Sequence, residues 1–126
     1  ENKMLISSQE YVSLVKAEIQ EITCEEMRNI KDTVEVLIDI REPEETSLGM
    51  IEGAVAIPRG VLEMKLCEHP LVKGKQNALQ ILEDKTIYLY CRSGARSALA
   101  AKSLSQMGFK NVYSLAGGIN EWNNQK

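Results

Sequence analysis

The sequence predicts an α/β protein in which a parallel sheet of about five strands is covered by helices on both faces. Three observations predict it. Residues 34–40 (VEVLIDI) are β-branched and nearly all apolar, as a strand buried on both faces reads. Residues 86–90 (TIYLY) form a second such run, which stops at Cys91. Strand-like runs alternate with capped segments of helical period, the order that builds βαβ units. Functional loops of such a sheet lie at the carboxyl ends of its strands, so Asp39 and Arg41, Pro58 and Arg59, and Cys91 are expected on one edge.

In chain order, Ser7 and Glu10 have the spacing of a capping box, and Tyr11, Leu14 and Val15 recur at helical spacing, predicting a helix over 8–17. It is an N-terminal accessory element, residues 1–18, ahead of a single domain over 19–126. Ile19 and Ile22 bound a short alternating strand, and Thr23 with Glu26 repeats the capping box before a helix carrying Met27 and Ile30. After the strand at 34–40 comes a charged turn with Pro43 at a helix start, then residues 54–57 (AVAI), a short strand closed by Pro58. Val61, Leu62 and Leu66 suit a short helix, and residues 71–83 are a polar connection with a helical piece around 78–82. Beyond Cys91, the residues Ala100, Ala101, Leu104 and Met107 line one helical face, and Gly108 stands where a C-terminal cap glycine belongs. Residues 112–114 are a last strand, and Gly117 and Gly118 turn the chain into a terminal helix anchored by Trp122.

Composition narrows the function. The 126 residues fit one domain, and 44% hydrophobic with 26% charged residues is ordinary for a globular protein. A net charge of −3 speaks against nucleic acid as the partner, since phosphate-backbone binding needs clustered Lys and Arg. Cys24, Cys67 and Cys91 show no zinc or CxxC spacing, which fits a reducing, cytoplasmic setting and calls for no metal or cofactor. No apolar run approaches a membrane span, so no membrane partner is expected.

Chemistry is expected at Cys91. A short loop, Arg92-Ser93-Gly94-Ala95-Arg96-Ser97, leads from the strand into a helix, with an arginine on each side of the glycine. Free thiols titrate near ~8.5, and helix N-termini and neighbouring Arg raise the thiolate fraction at neutral pH. Amides converging at a helix start also bind anions. The alternative is a structural cysteine buried at a strand end.

Three segments resemble the rhodanese family of single-domain sulfurtransferases. They are residues 37–45 (LIDIREPEE) with 49–58 (GMIEGAVAIP), the loop Tyr90-Cys91-Arg92-Ser93-Gly94-Ala95-Arg96-Ser97, and residues 115–122 (LAGGINEW). The resemblance spans nearly the whole chain and implies a rhodanese-like three-layer sandwich. It implies that Cys91 takes a sulfane sulfur from a donor such as thiosulfate, becomes a persulfide, and passes the sulfur to cyanide or a protein thiol. Arg92 and Arg96 would neutralise the donor's sulfonate-like group, the amides of residues 92–96 would hold the terminal sulfur, and Asp39, Arg41 and Arg59 would support the site. Where the family commonly has Gly-His, this chain has Gly49-Met50.

Other residues have plainer expectations. His69 is expected in a solvated loop, Cys24 buried in its capping segment, and Glu42, Glu44 and Glu45 on a solvated helix start. Cys67, in a turn near Lys65, is a candidate relay thiol. Two further functions share the Cys91 loop: a persulfide carrier for a partner protein, and a phosphatase or arsenate reductase. Cys-loop phosphatases resemble this chain but place five residues between Cys and Arg, whereas Cys91 and Arg96 are separated by four.

Overall fold

Strands β1 (Gln20–Ile22), β2 (Val36–Asp39), β3 (Val55–Ala56), β4 (Ile87–Tyr90) and β5 (Val112–Leu115) form one sheet in the computed structural model, which describes residues 4–125. Their order is β1-β5-β4-β2-β3 and every neighbouring pair is parallel, as the α/β pattern predicts. All carboxyl ends therefore meet on one edge.

Alternation along the strands sorts the core onto the two faces. Val36, Ile38, Ile87, Leu89 and Val112 pack with Leu62, Leu66, Leu82, Ala100, Ala101 and Leu104. Those partners come from α4 (Leu62–Lys65) and the turn after it, α5 (Ala78–Glu83), and α6 (Ala95–Met107). On the other face Leu37, Tyr90 and Leu115 meet Met27 of α2 (Cys24–Ile30) and Ile119 of α7 (Gly118–Asn124). The central strands are apolar on both faces because helices cover both. A one-turn helix, α3 (Pro43–Thr46), follows β2 with Pro43 in its first turn, where a missing N–H costs nothing.

Helix α1 (Ser8–Lys16) starts at the expected capping box, Ser7 Oγ accepting from the Glu10 amide at 3.1 Å. Only part of its expected apolar face is buried. Val15 is buried, whereas Tyr11 and Leu14 are 44% and 60% exposed, because α1 lies against α6 along a single narrow stripe. Lys102 of α6 covers the Tyr11 ring at 5.5 Å. Met107, placed by periodicity on the inner face of α6, is likewise half out at 45%, since the helix ends there at Gly108.

His69 corrects the expectation of a solvated loop residue. Only 4% exposed, it tucks under the turn between α4 and α5, with Nδ1 accepting the Leu71 amide at 3.1 Å. Its Nε2 has no partner among the described residues. Burial lowers its pKa from 6.5. The unfolded chain therefore takes up a proton that the fold resists, so this stability is complete above 6.5 and declines as pH falls below it. His69 is the only histidine in the chain. Melting temperature should fall as pH drops from about 7 to about 5, and His69→Leu should flatten that slope; parallel profiles for the two proteins would dissociate the slope from His69.

Candidate active site

Cys91 is the first residue after β4, and Gly94 supplies the N-cap of α6 with φ of 107°, a conformation that side chains disfavour. This turn folds the chain back over the sulfur. Cys91 Sγ accepts the Gly94 amide at 3.2 Å and the Ser97 amide at 3.4 Å, and Ser97 Oγ lies 3.5 Å away. Cys91 and Ser97 are buried, with Cys91 at 1% exposure, while Arg92 and Ser93 are exposed. The loop thus aims donors inward at one sulfur and presents charge outward.

The carbonyls of Cys91 and Arg92 are taken up by α7. The Ile119 amide donates to Cys91 O at 3.0 Å and the Asn120 amide to Arg92 O at 3.1 Å. For that contact Gly118 must lie almost on the loop: a β-carbon there would stand 2.5 Å from Arg92 O and 2.6 Å from Cys91 O. Gly118 therefore serves the Cys91 loop as well as the turn into α7, whereas a β-carbon on Gly117 would meet the Glu121 side chain. Cys24 lies beneath this turn, its Sγ donating to Ala116 O at 3.8 Å and Gly118 O at 3.9 Å, and burial pushes its thiol up. Cys67 is exposed, in the 3-10 turn after α4, and bonds only to Met64 O at 3.8 Å.

The charged residues are sorted into pairs. Arg41 grips the fully buried Asp39 through Nε at 3.0 Å and NH2 at 2.8 Å, and also donates to Gly49 O at 2.7 Å. Tyr90, the last residue of β4, accepts the Ile51 amide at its hydroxyl at 3.0 Å; burial and the Asp39 carboxylate push its phenol well up. Together these fix the loop that runs from β2 to β3. Arg59 reaches the same edge, its amide bonding Ile40 O at 2.9 Å, but its guanidinium turns to Glu63 at 2.9 Å.

Glu45 corrects the expectation of a uniformly solvated acidic turn. Glu42 and Glu44 are exposed, but Glu45 forks onto Arg96 at 2.8 and 3.0 Å. The Arg96 guanidinium, with the Glu42 amide, holds the Glu45 carboxyl at about 2, down from 4.5. Arg92 has no ion-pair partner among the described residues. It lines a cleft of ≈ 510 Å³ beside the loop, together with Leu48, Met50, Asn120 and Asn123. Residues missed by sequence reasoning include Lys16, whose Nζ stands 3.9 Å from where a β-carbon on Gly94 would be, and Ser114, whose Oγ is 2.7 Å from Ser97 Oγ. The signal for Ser114 was its position two residues after Val112, on the same face of a strand as the core. Among the described residues no cluster of metal-ligating side chains is present, and no helix is long and apolar enough to cross a membrane.

A family model for the rhodanese-like domain matches residues 23–125. The chain belongs to the rhodanese family. A Schizosaccharomyces pombe protein named "Putative thiosulfate sulfurtransferase, mitochondrial" is 32% identical over 98% of this chain and 92% of its own length. A protein named "Sulfurtransferase" from Allochromatium vinosum is 36% identical over 82% of this chain and 88% of that one. Among solved structures, a Rhodopseudomonas palustris protein described as of unknown function and as a possible tyrosine phosphatase superposes with a TM-score of 0.79. It is 29% identical, and the match covers 99% of this chain and 95% of that one. The rhodanese match begins after α1 and β1, so Lys16 lies outside it.

Two predictions test how the rhodanese loop is held. Gly118→Ala adds a left-handed backbone penalty of about 1–2 kcal/mol to the overlap with the loop carbonyls, so both melting temperature and Cys91 reactivity should drop; an unchanged protein would show that α7 does not clamp the loop. Because the Glu45 pKa is depressed, its contribution is present above 4.5 and lost as pH falls toward about 2. Glu45→Gln should lower stability at neutral pH and abolish that acid-dependent part, as measured by denaturant unfolding at several pH values.

Proposed function

We propose that the protein moves a sulfane sulfur from thiosulfate, or a donor of the same kind, to a thiophilic acceptor through a persulfide on Cys91. The observation that carries this reading is the convergence of the Gly94 and Ser97 amides on Cys91 Sγ, with Ser97 Oγ 3.5 Å away. In the first half-reaction the Cys91 thiolate attacks the outer sulfur of thiosulfate. A new S–S bond forms, the sulfur–sulfur bond of the donor breaks, and sulfite leaves with the electron pair. The terminal sulfur of the persulfide then carries the negative charge within reach of the inward-facing donors of residues 92–97, which act as an oxyanion hole does for oxygen. In the second half-reaction cyanide or a protein thiolate takes that sulfur, leaving as thiocyanate or a new persulfide and restoring the thiolate.

The arginines divide the work. Arg92, exposed and unpaired among the described residues, is the guanidinium for the sulfonate end of the donor. Arg96, expected beside Arg92 on the sulfonate-like group, is instead forked onto Glu45, so its part is to fix the first turn of α6 against α3 and hold the amides in place. Arg92→Ala should therefore raise KM for thiosulfate by a charged hydrogen bond's worth, about 1.5–3 kcal/mol or tenfold and more. Arg96→Ala should act mainly on kcat. Equal effects of the two variants on KM would remove this division.

Phosphate-ester hydrolysis is the competing reading, favoured by the description of the Rhodopseudomonas palustris protein. Against it stand the four residues between Cys91 and Arg96 and the engagement of Arg96 by Glu45, which leave a ring sized for one sulfur. Steady-state turnover of thiosulfate with cyanide should be lost in Cys91→Ser while the circular dichroism spectrum is kept. Turnover of an aryl phosphate by the wild type, lost in Cys91→Ser, would replace sulfur transfer with phosphoryl chemistry.

A further inference from the structure

Behind the sulfur lies a pair of fully buried hydroxyls. Ser97, in the first turn of α6, and Ser114, on β5, are both at 0% exposure, with their Oγ atoms 2.7 Å apart. Ser97 Oγ also lies 3.4 Å from Gly94 O and 3.5 Å from Cys91 Sγ. Ser114 Oγ has no other hydrogen-bond partner among the described residues. A serine hydroxyl has one proton to give and two lone pairs to fill. The proton of Ser114 therefore has one destination, Ser97 Oγ, because leaving it unpaired in the core would carry the full desolvation cost of a buried donor.

That assignment fixes the direction of the remaining bonds. With Ser114 donating, the Ser97 proton faces two acceptors, the Gly94 carbonyl and the Cys91 sulfur. When Cys91 is a thiol, its S–H donates to the second lone pair of Ser97 Oγ and the Ser97 proton rests on Gly94 O. When the thiol loses its proton to water, the Ser97 hydroxyl turns from the carbonyl to the sulfur and becomes its third donor. In the thiolate state, where Cys91 no longer donates, Ser97 Oγ keeps an accepted bond only because Ser114 supplies it. We propose that Ser114 is a positioning residue for Cys91, acting through Ser97 to hold a hydroxyl that follows the charge on the sulfur. This rests on Cys91 being the reactive thiol of the site.

Without Ser114, the Ser97 oxygen is fully bonded only while Cys91 is protonated and donating to it, so the thiol form is favoured. Measured as iodoacetamide alkylation of Cys91, followed by peptide mass mapping across a range of pH, Ser114→Ala should move the alkylation midpoint upward. The rate at neutral pH should fall about tenfold, as expected for one unsatisfied buried acceptor. Ser114→Thr keeps a hydroxyl on a strand that favours branched side chains, and should retain the wild-type midpoint. In the double variant Ser97→Ala/Ser114→Ala the midpoint should match that of Ser97→Ala alone, since Ser114 has no other route to the sulfur.

An unmoved midpoint in Ser114→Ala, whatever happens to its melting temperature, would make Ser114 a packing residue and overturn the proposal. So would a further shift on adding Ser114→Ala to Ser97→Ala, or a Thr variant that behaves like Ala. The readout is independent of the donor: a failure of sulfur transfer in the wild type would count against the persulfide reaction and leave the alkylation test of Ser114 intact.

Discussion

The loop after β4 has to satisfy two opposed demands, and the rest of the molecule is arranged around them. Its amides must face inward to the sulfur of Cys91, which leaves the carbonyls of Cys91 and Arg92 without partners inside the loop. A buried carbonyl without a donor is costly, and α7 removes that cost by placing the Ile119 and Asn120 amides against Cys91 O and Arg92 O. This works only because residue 118 has no side chain, and because β5, which leads into α7, lies beside β4 in the sheet. The parallel order of the strands, the turn at Gly118 and the Cys91 loop are thus one structural solution.

Charge is handled with the same economy. Arg41 is committed to Asp39 in the interior, Arg59 to Glu63, and Arg96 to Glu45. Breaking a buried pair such as Asp39 with Arg41 by removing one member would leave an uncompensated charge, a loss of roughly 3–5 kcal/mol. The Arg96–Glu45 pair ties the segment after β2 to the start of α6, and Arg92, with no ion-pair partner among the described residues, lines the cleft. Local positive charge is thereby built into a protein whose net charge is −3.

Much of this was legible in the sequence. The apolar runs that became β2 and β4 could be buried only on both faces, which forced helices onto both sides of the sheet. The two capping boxes at Ser7 and Thr23 form as spaced. Cys91 followed by a glycine and two arginines marked the loop, and the three matched segments marked the family. What escaped was long-range or hidden by polar neighbours. Glu45 and Arg96 are 51 residues apart, and nothing local in either segment announces the fork. Ser114 reads as an unremarked small residue until β5 is set beside α6, and His69 reads as surface because Glu68 and Pro70 flank it. Tyr11 and Leu14 show the converse: their helical spacing is real, but α1 meets α6 on too narrow a stripe to bury them.

The central claim is that the inward-facing donors around Cys91 exist to receive a second sulfur, and intact-mass spectrometry of the pure, reduced protein after brief mixing with thiosulfate tests it most directly. The account predicts a gain of one sulfur atom, located at Cys91 by peptide mapping, removed by cyanide, and absent in Cys91→Ser. A wild-type protein that takes up no sulfur from thiosulfate, or takes it up on Cys24 or Cys67 instead, would contradict it.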